Sequence, residues 1–201
     1  MEKTKAAQKK EELMPAAKNG WDRVSENDHK AIYDFAEGYM DFMSRCKTER
    51  EVVSFAEKAL VSAGFEKFDP KKPLKAGDRV YVNNRGKAIM AAVIGSEDIE
   101  KGVDIAAAHI DSPRLDLKQH PLYEDSELAL FKTHYYGGIK KYQWSTVPLS
   151  LHGVIVRADG EKAEINIGEN EGDPQFVVTD LLPHLGREQS KRPLSEGIKG
   201  E

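Results

Sequence analysis

Between residues 32 and 43 the apolar positions Ile32, Phe35, Ala36, Tyr39, Phe42 and Met43 recur every three or four residues, the spacing of one helical stripe. Ser25 and Asp28 ahead of them resemble a capping box, so an amphipathic helix is predicted from Ser25 onward. A second helix is predicted from Thr48, which has Glu51 three residues on, through Val52, Phe55, Ala56, Ala59 and Leu60 to a C-terminal stop at Gly64. Neither helix carries a chemical motif. The pattern then shortens to that of strands. "RVYVNN" and "KAIMAAVIG" read as a hairpin joined through "NNRG". "GVDIAAAH" is a run of small apolar residues without alternation, as expected of a strand covered on both faces in an α/β sheet.

After Pro113 the pattern changes again, to short strand-like pieces ("RLDLKQ", "LSLHGVIVRA", "KAEINIG", "QFVVTDL") separated by Gly, Pro, Asn and Asp turns. A compact β-rich module is predicted there, with a domain boundary near residue 112. Before Trp21 the lysine-rich opening lacks the apolar core of a secretory signal and reads as a solvated, flexible arm over residues 1–20.

Composition narrows the functional classes. No apolar run approaches the roughly 20 residues of a membrane span, so no membrane role is expected. The net charge of -4, with bases and acids interleaved, argues against a nucleic-acid footprint. A lone Cys46 cannot form an internal disulfide and fits a reducing, cytoplasmic setting.

The candidate chemistry lies at the end of the buried-looking run. There His109 and Asp111 stand two residues apart, a spacing that puts both on one side of an extended chain. Neutral histidine is the commonest transition-metal ligand, and a neighbouring carboxylate orients it. The carboxyl end of a strand is also where open α/β sheets place their ligands. A bare H-x-D is equally an ordinary strand-end pair, and spacing leaves open whether Asp111 ligates or supports. Three rivals are weaker. Ser112 lacks a G-x-S-x-G elbow, "HYYGGIKKYQW" reads as packing around a Gly-Gly turn rather than a nucleic-acid surface, and "GENEGD" lacks the calcium-loop pattern. His29, His120, His134 and His152 read as isolated surface or locally satisfied residues.

Taken together, "AAAHIDSPRLDLK", "THYYGGIKKYQW" and "PLSLHGVIV" resemble the front part of metallopeptidase family 18, the aspartyl aminopeptidase and vacuolar aminopeptidase I family, in a bacterial branch. The resemblance runs from about Trp21 to the end of the chain. It implies an α/β fold in which residues 21–112 begin a zinc-peptidase-like catalytic domain. Residues 113–201 would form most of an inserted β-rich dimerisation domain, incomplete at its C-terminal end.

It further implies removal of N-terminal amino acids from peptides by water activated between two divalent ions, zinc or alternatively cobalt or manganese. By position, His109 would be a metal ligand, Asp111 its orienting carboxylate, and His184 in "LLPHL" a residue reaching a neighbouring subunit's site in a tetrahedral dodecamer. Trp144 is followed by Ser-Thr-Val-Pro-Leu where other branches carry an Asp-Arg-Asp-Leu-like segment, so the resemblance leaves the choice between acidic and neutral N-terminal residues open. The bridging aspartate, the Glu-Glu pair with the general base, a further carboxylate and the last histidine have no counterpart in these 201 residues. The chain alone is therefore expected to be inactive. The alternative from another class is a non-catalytic oligomerisation or interaction module that keeps H-x-D as a remnant.

Overall fold

A computed structural model of the chain describes residues 4–14 and 19–198. The chain falls into two compact units, Met1–Arg45 and Cys46–Glu201.

The first unit is helical. Helix α1 spans Lys5–Leu13, inside the stretch expected as a solvated arm, and its described side chains are exposed. Helix α2 spans Glu26–Arg45. Its start follows the Ser25/Asp28 signal: Asp28 Oδ2 accepts from the Ser25 amide at 3.0 Å, and Ser25 Oγ accepts from the Asp28 amide at 3.2 Å. Trp21 meets His29 edge-on, with ring centroids 5.1 Å apart. The apolar stripe of α2 is largely uncovered, with Phe35 79% and Tyr33 63% exposed.

The second unit opens with helix α3, Glu49–Ser62, entered through a complete capping box. Glu51 Oε2 accepts from the Thr48 amide at 2.8 Å, and Thr48 Oγ1 accepts from the Glu51 amide at 3.3 Å. The helix ends in a paired turn: the Gly64 amide donates to Val61 and the Phe65 amide to Leu60. Gly64 has φ +81°, the left-handed conformation that such an ending requires. Against α3 lies a three-stranded sheet of β1 (Glu66–Lys67), β2 (Arg79–Asn84) and β3 (Ala88–Val93). Strands β2 and β3 form the predicted hairpin, and β1 runs parallel to β2, a pairing the sequence pattern did not suggest. Val53 and Tyr81, with Cys46, are the buried apolar side chains among the described residues.

Two antiparallel hairpins follow, β4 (Arg114–Asp125) with β5 (Leu128–Tyr136), and β6 (Leu151–Val156) with β7 (Lys162–Ile167). The first has a register shift between Leu117 and Leu122. The boundary expected near residue 112 falls at the root of β4, inside this second unit.

Two strand expectations are corrected. "GVDIAAAH" forms no strand: among the described residues, 103–113 make no backbone ladder, and Ile105 is 81% exposed. The composition of a buried strand is present, but no neighbouring strand pairs with it, and a strand exists only through its partners' hydrogen bonds. "QFVVTDL" contributes only single bridges, Leu149 to Phe176 and Ser145 to Val178, because its partner segment is irregular.

Candidate metal centre at His109 and Asp111

His109 and Asp111 lie in the irregular segment that leads into β4. The imidazole Nδ1 stands 2.9 Å from the Asp111 backbone oxygen and 3.2 Å from its carboxylate Oδ1. Both oxygens are acceptors, so these contacts assign the ring proton to Nδ1 and leave a lone pair on Nε2. His109 is an open group: its side chain is 84% exposed.

The second carboxylate oxygen of Asp111 is also engaged. Tyr136, the last residue of β5, donates its hydroxyl to Oδ2 at 2.5 Å. That bond, with further help from the Asp111 backbone amide and from His109, holds the Asp111 carboxyl below its ordinary range. The same bond to the charged carboxylate pushes the Tyr136 phenol up. Arg114 lies across the hairpin from Tyr136, with its guanidinium carbon 4.1 Å from the centre of the tyrosine ring. Its Nε donates to Asp116 at 2.7 Å.

Two features of this donor set bear on metal binding. Asp111 has both oxygens occupied by hydrogen bonds, which suits an orienting carboxylate rather than a ligand. His109 offers one free nitrogen, and a catalytic zinc takes about three protein ligands plus an open position. Among the described residues no group of three or more His, Cys, Asp or Glu side chains is arranged to hold an ion. The residues therefore fit one corner of a metal site and not a whole one.

His184 sits on an exposed turn in which the Leu185 and Gly186 amides both donate to the Leu182 oxygen at 2.9 Å. Among the described residues, no hydrogen bond or ion pair joins it to His109 or Asp111.

Two residues important to this unit escape the sequence pattern. Tyr136 is one, because its partner lies 25 residues away and is fixed by the β4–β5 register. His152 is the other. Its side chain is 7% exposed, with Nδ1 2.8 Å from Glu51 Oε1 and Nε2 2.9 Å from Glu169 Oε1. The histidine thus ties the capped start of α3 to the β6–β7 hairpin. Of the aromatic segment weighed as a nucleic-acid surface, Tyr135, Ile139, Lys141 and Trp144 line an open cavity of about 450 Å³ with Leu115 and Phe131. No helix among the described residues is long and apolar enough to cross a membrane.

The described residues form a mixed helix-and-sheet chain with an exposed histidine whose ring is oriented by a neighbouring carboxylate. Comparison defines the class. The profile of the Aminopeptidase I zinc metalloprotease (M18) family matches residues 42–199, and the chain belongs to that family.

A probable M18 family aminopeptidase 1 from Clostridium acetobutylicum is 46% identical over 194 residues, covering 94% of this chain and 42% of that protein. The crystal structure of an M18-family aminopeptidase from Thermotoga maritima superposes with a TM-score of 0.84 at 45% identity, covering 94% of this chain and 40% of that one. Aminopeptidase I from Borrelia burgdorferi B31 superposes with a TM-score of 0.78 at 46% identity, over 83% of this chain and 41% of that one. The chain thus spans about two-fifths of the length of the relatives it matches.

Proposed function

We propose that these residues form part of a metal-dependent aminopeptidase that removes N-terminal amino acids from peptides. Family membership supports the activity in general, and the His109–Asp111 geometry carries the assignment to a site. In this reading Asp111 holds the imidazole with Nδ1 protonated, and His109 Nε2 is one ligand of a zinc pair, with cobalt or manganese as alternatives. His109 would hold one ion of the pair, which when bound would supply Lewis-acid activation of a water and of the scissile carbonyl. In this reading His109 and Asp111 set the orientation of one ligand, and the base and the other ligands are not among the described residues. A single imidazole holds an ion poorly, so the 201 residues alone are inactive in this account.

The finer organisation is proposed on the same footing. Residues 21–112 begin the catalytic domain, and residues 113–201 form most of a β-rich dimerisation domain. His184 then serves a neighbouring subunit's site in a tetrahedral dodecamer. The S. cerevisiae mApe1 dodecamer, which shares the fold with a TM-score of 0.59 at 22% identity, supports the oligomeric part of that reading alone. The cytoplasm is the proposed location, with peptides rather than nucleic acid or membrane as partners.

The test uses the protein expressed from its complete reading frame, given a peptide with a free N-terminus and the same peptide N-acetylated. Release of the first residue from the free peptide only, lost in His109→Gln, is expected. Metal-independent release, or full activity in His109→Gln, would contradict the proposal.

A further inference from the structure

The Tyr-Gly-Gly segment has no role in the scheme so far, yet the fold brings its tyrosine to the candidate site. Strand β5 ends at Tyr136 directly opposite Arg114, so the hairpin delivers the phenol to the stretch just before β4. Gly137 then allows a close pass. A β-carbon there would lie in ordinary contact with Pro113, 3.4 Å from its Cα, and the cost of a side chain comes from the backbone, whose φ is +79°. The chain end of β5 is thereby held against Ser112-Pro113, one residue beyond Asp111. Arg114 covers the face of the Tyr136 ring and is fixed in turn by Asp116 and by the Ser112 carbonyl, at 3.4 Å.

We propose that Tyr136 is a positioning residue for the metal ligand: its hydroxyl fixes Asp111 Oδ2, which turns Oδ1 toward His109 Nδ1 and leaves His109 Nε2 free to bind an ion. The inference rests on the reading of His109 as a ligand and extends it one residue further out. The physical reason is one of constraint. The other bonds to the Asp111 carboxylate, from its own backbone amide and from His109 Nδ1, come from the same irregular segment, so the tyrosine is its tie to the β4–β5 hairpin. A carboxylate free to rotate would present either oxygen, or neither, to the imidazole. The tyrosine bond selects one arrangement, and hydrogen bonds of this kind around a metal ligand are typically worth about 10–100-fold in metal affinity or activity.

The experiment measures zinc affinity by chelator competition in the protein expressed from its complete reading frame. It compares wild type, His109→Ala, Asp111→Asn, Tyr136→Phe and the Asp111→Asn/Tyr136→Phe double variant. Phenylalanine keeps the ring beneath Arg114 and removes only the hydroxyl.

Tyr136→Phe is expected to weaken zinc about 10-fold or more. Because the tyrosine acts through Asp111, its loss in the Asp111→Asn background should add less than about 2-fold. Wild-type affinity in Tyr136→Phe or a fully additive double variant would each overturn the positioning role. Wild-type affinity in His109→Ala would instead overturn the ligand reading on which it rests.

Discussion

At the scale of single residues, the His109–Asp111–Tyr136 line contains one part that the sequence displays and one that it hides. Spacing alone put His109 and Asp111 on one side of the chain, and the two do meet, Nδ1 to Oδ1 at 3.2 Å. The third member is hidden because hydrogen-bond partners 25 residues apart are chosen by strand register, which periodicity does not encode. Gly137 makes that register usable. Gly137→Ala is expected to cost about 1–2 kcal/mol, the usual penalty for a left-handed residue with a β-carbon. Denaturant unfolding of the protein would read this as a lower midpoint with an unchanged slope. The same single-residue reading missed His152, which looks isolated in the sequence and is nearly enclosed in the fold.

At the scale of elements, the capped helices and the β2–β3 hairpin follow their local signals, because caps and turns are decided within a few residues. Thr48 and Glu51 exchange both bonds of a capping box, β2–β3 pair as the hairpin signal predicts, and β6 and β7 fall on two of the predicted strand-like pieces. "GVDIAAAH" fails for the opposite reason. Its composition specifies burial between neighbours, and no neighbour pairs with it among the described residues.

The junction of elements through His152 has measurable consequences. Burial pushes Glu51 up, but hydrogen bonds from His152 and Thr48 outweigh burial and hold it below its ordinary value. Glu169 is held low chiefly by the Ser150 hydroxyl and then by His152. Carboxyls lowered in the folded state favour folding above their unfolded pKa, and that contribution is lost as pH falls through the folded value. Stability of this unit should therefore decline on acidification below about pH 4.5, the ordinary glutamate range. His152→Leu removes the imidazole that lies between both glutamates. It should cost about 1–3 kcal/mol at neutral pH, the lower part of the range reflecting solvent screening of the half-exposed carboxylates, and should flatten the acid limb of the stability curve. Chemical unfolding at pH 7 and pH 4 checks both.

At the scale of the whole molecule, the described residues bury few apolar side chains and expose many. Phe35, Val103, Ile105, Leu182 and Leu185 are each more than half exposed. Apolar surface of this kind is the usual mark of a face meant to be covered. The 201 residues expressed alone should therefore self-associate or bind a hydrophobic dye, as light scattering and dye fluorescence would show. A monodisperse monomer without dye binding would contradict that expectation. The proposed dodecamer belongs to the same scale, and mass measurement of the protein from its complete reading frame tests it directly.

The central claim is that His109 is a ligand in the metal centre of an aminopeptidase. Anomalous diffraction at the zinc edge, from crystals of the protein expressed from its complete reading frame, tests it most directly. The account predicts a peak about 2.0–2.1 Å from His109 Nε2, with Asp111 still on Nδ1 and a second peak about 3.5–4 Å from the first. Bound zinc held entirely by other residues, with His109 Nε2 facing solvent, would contradict it.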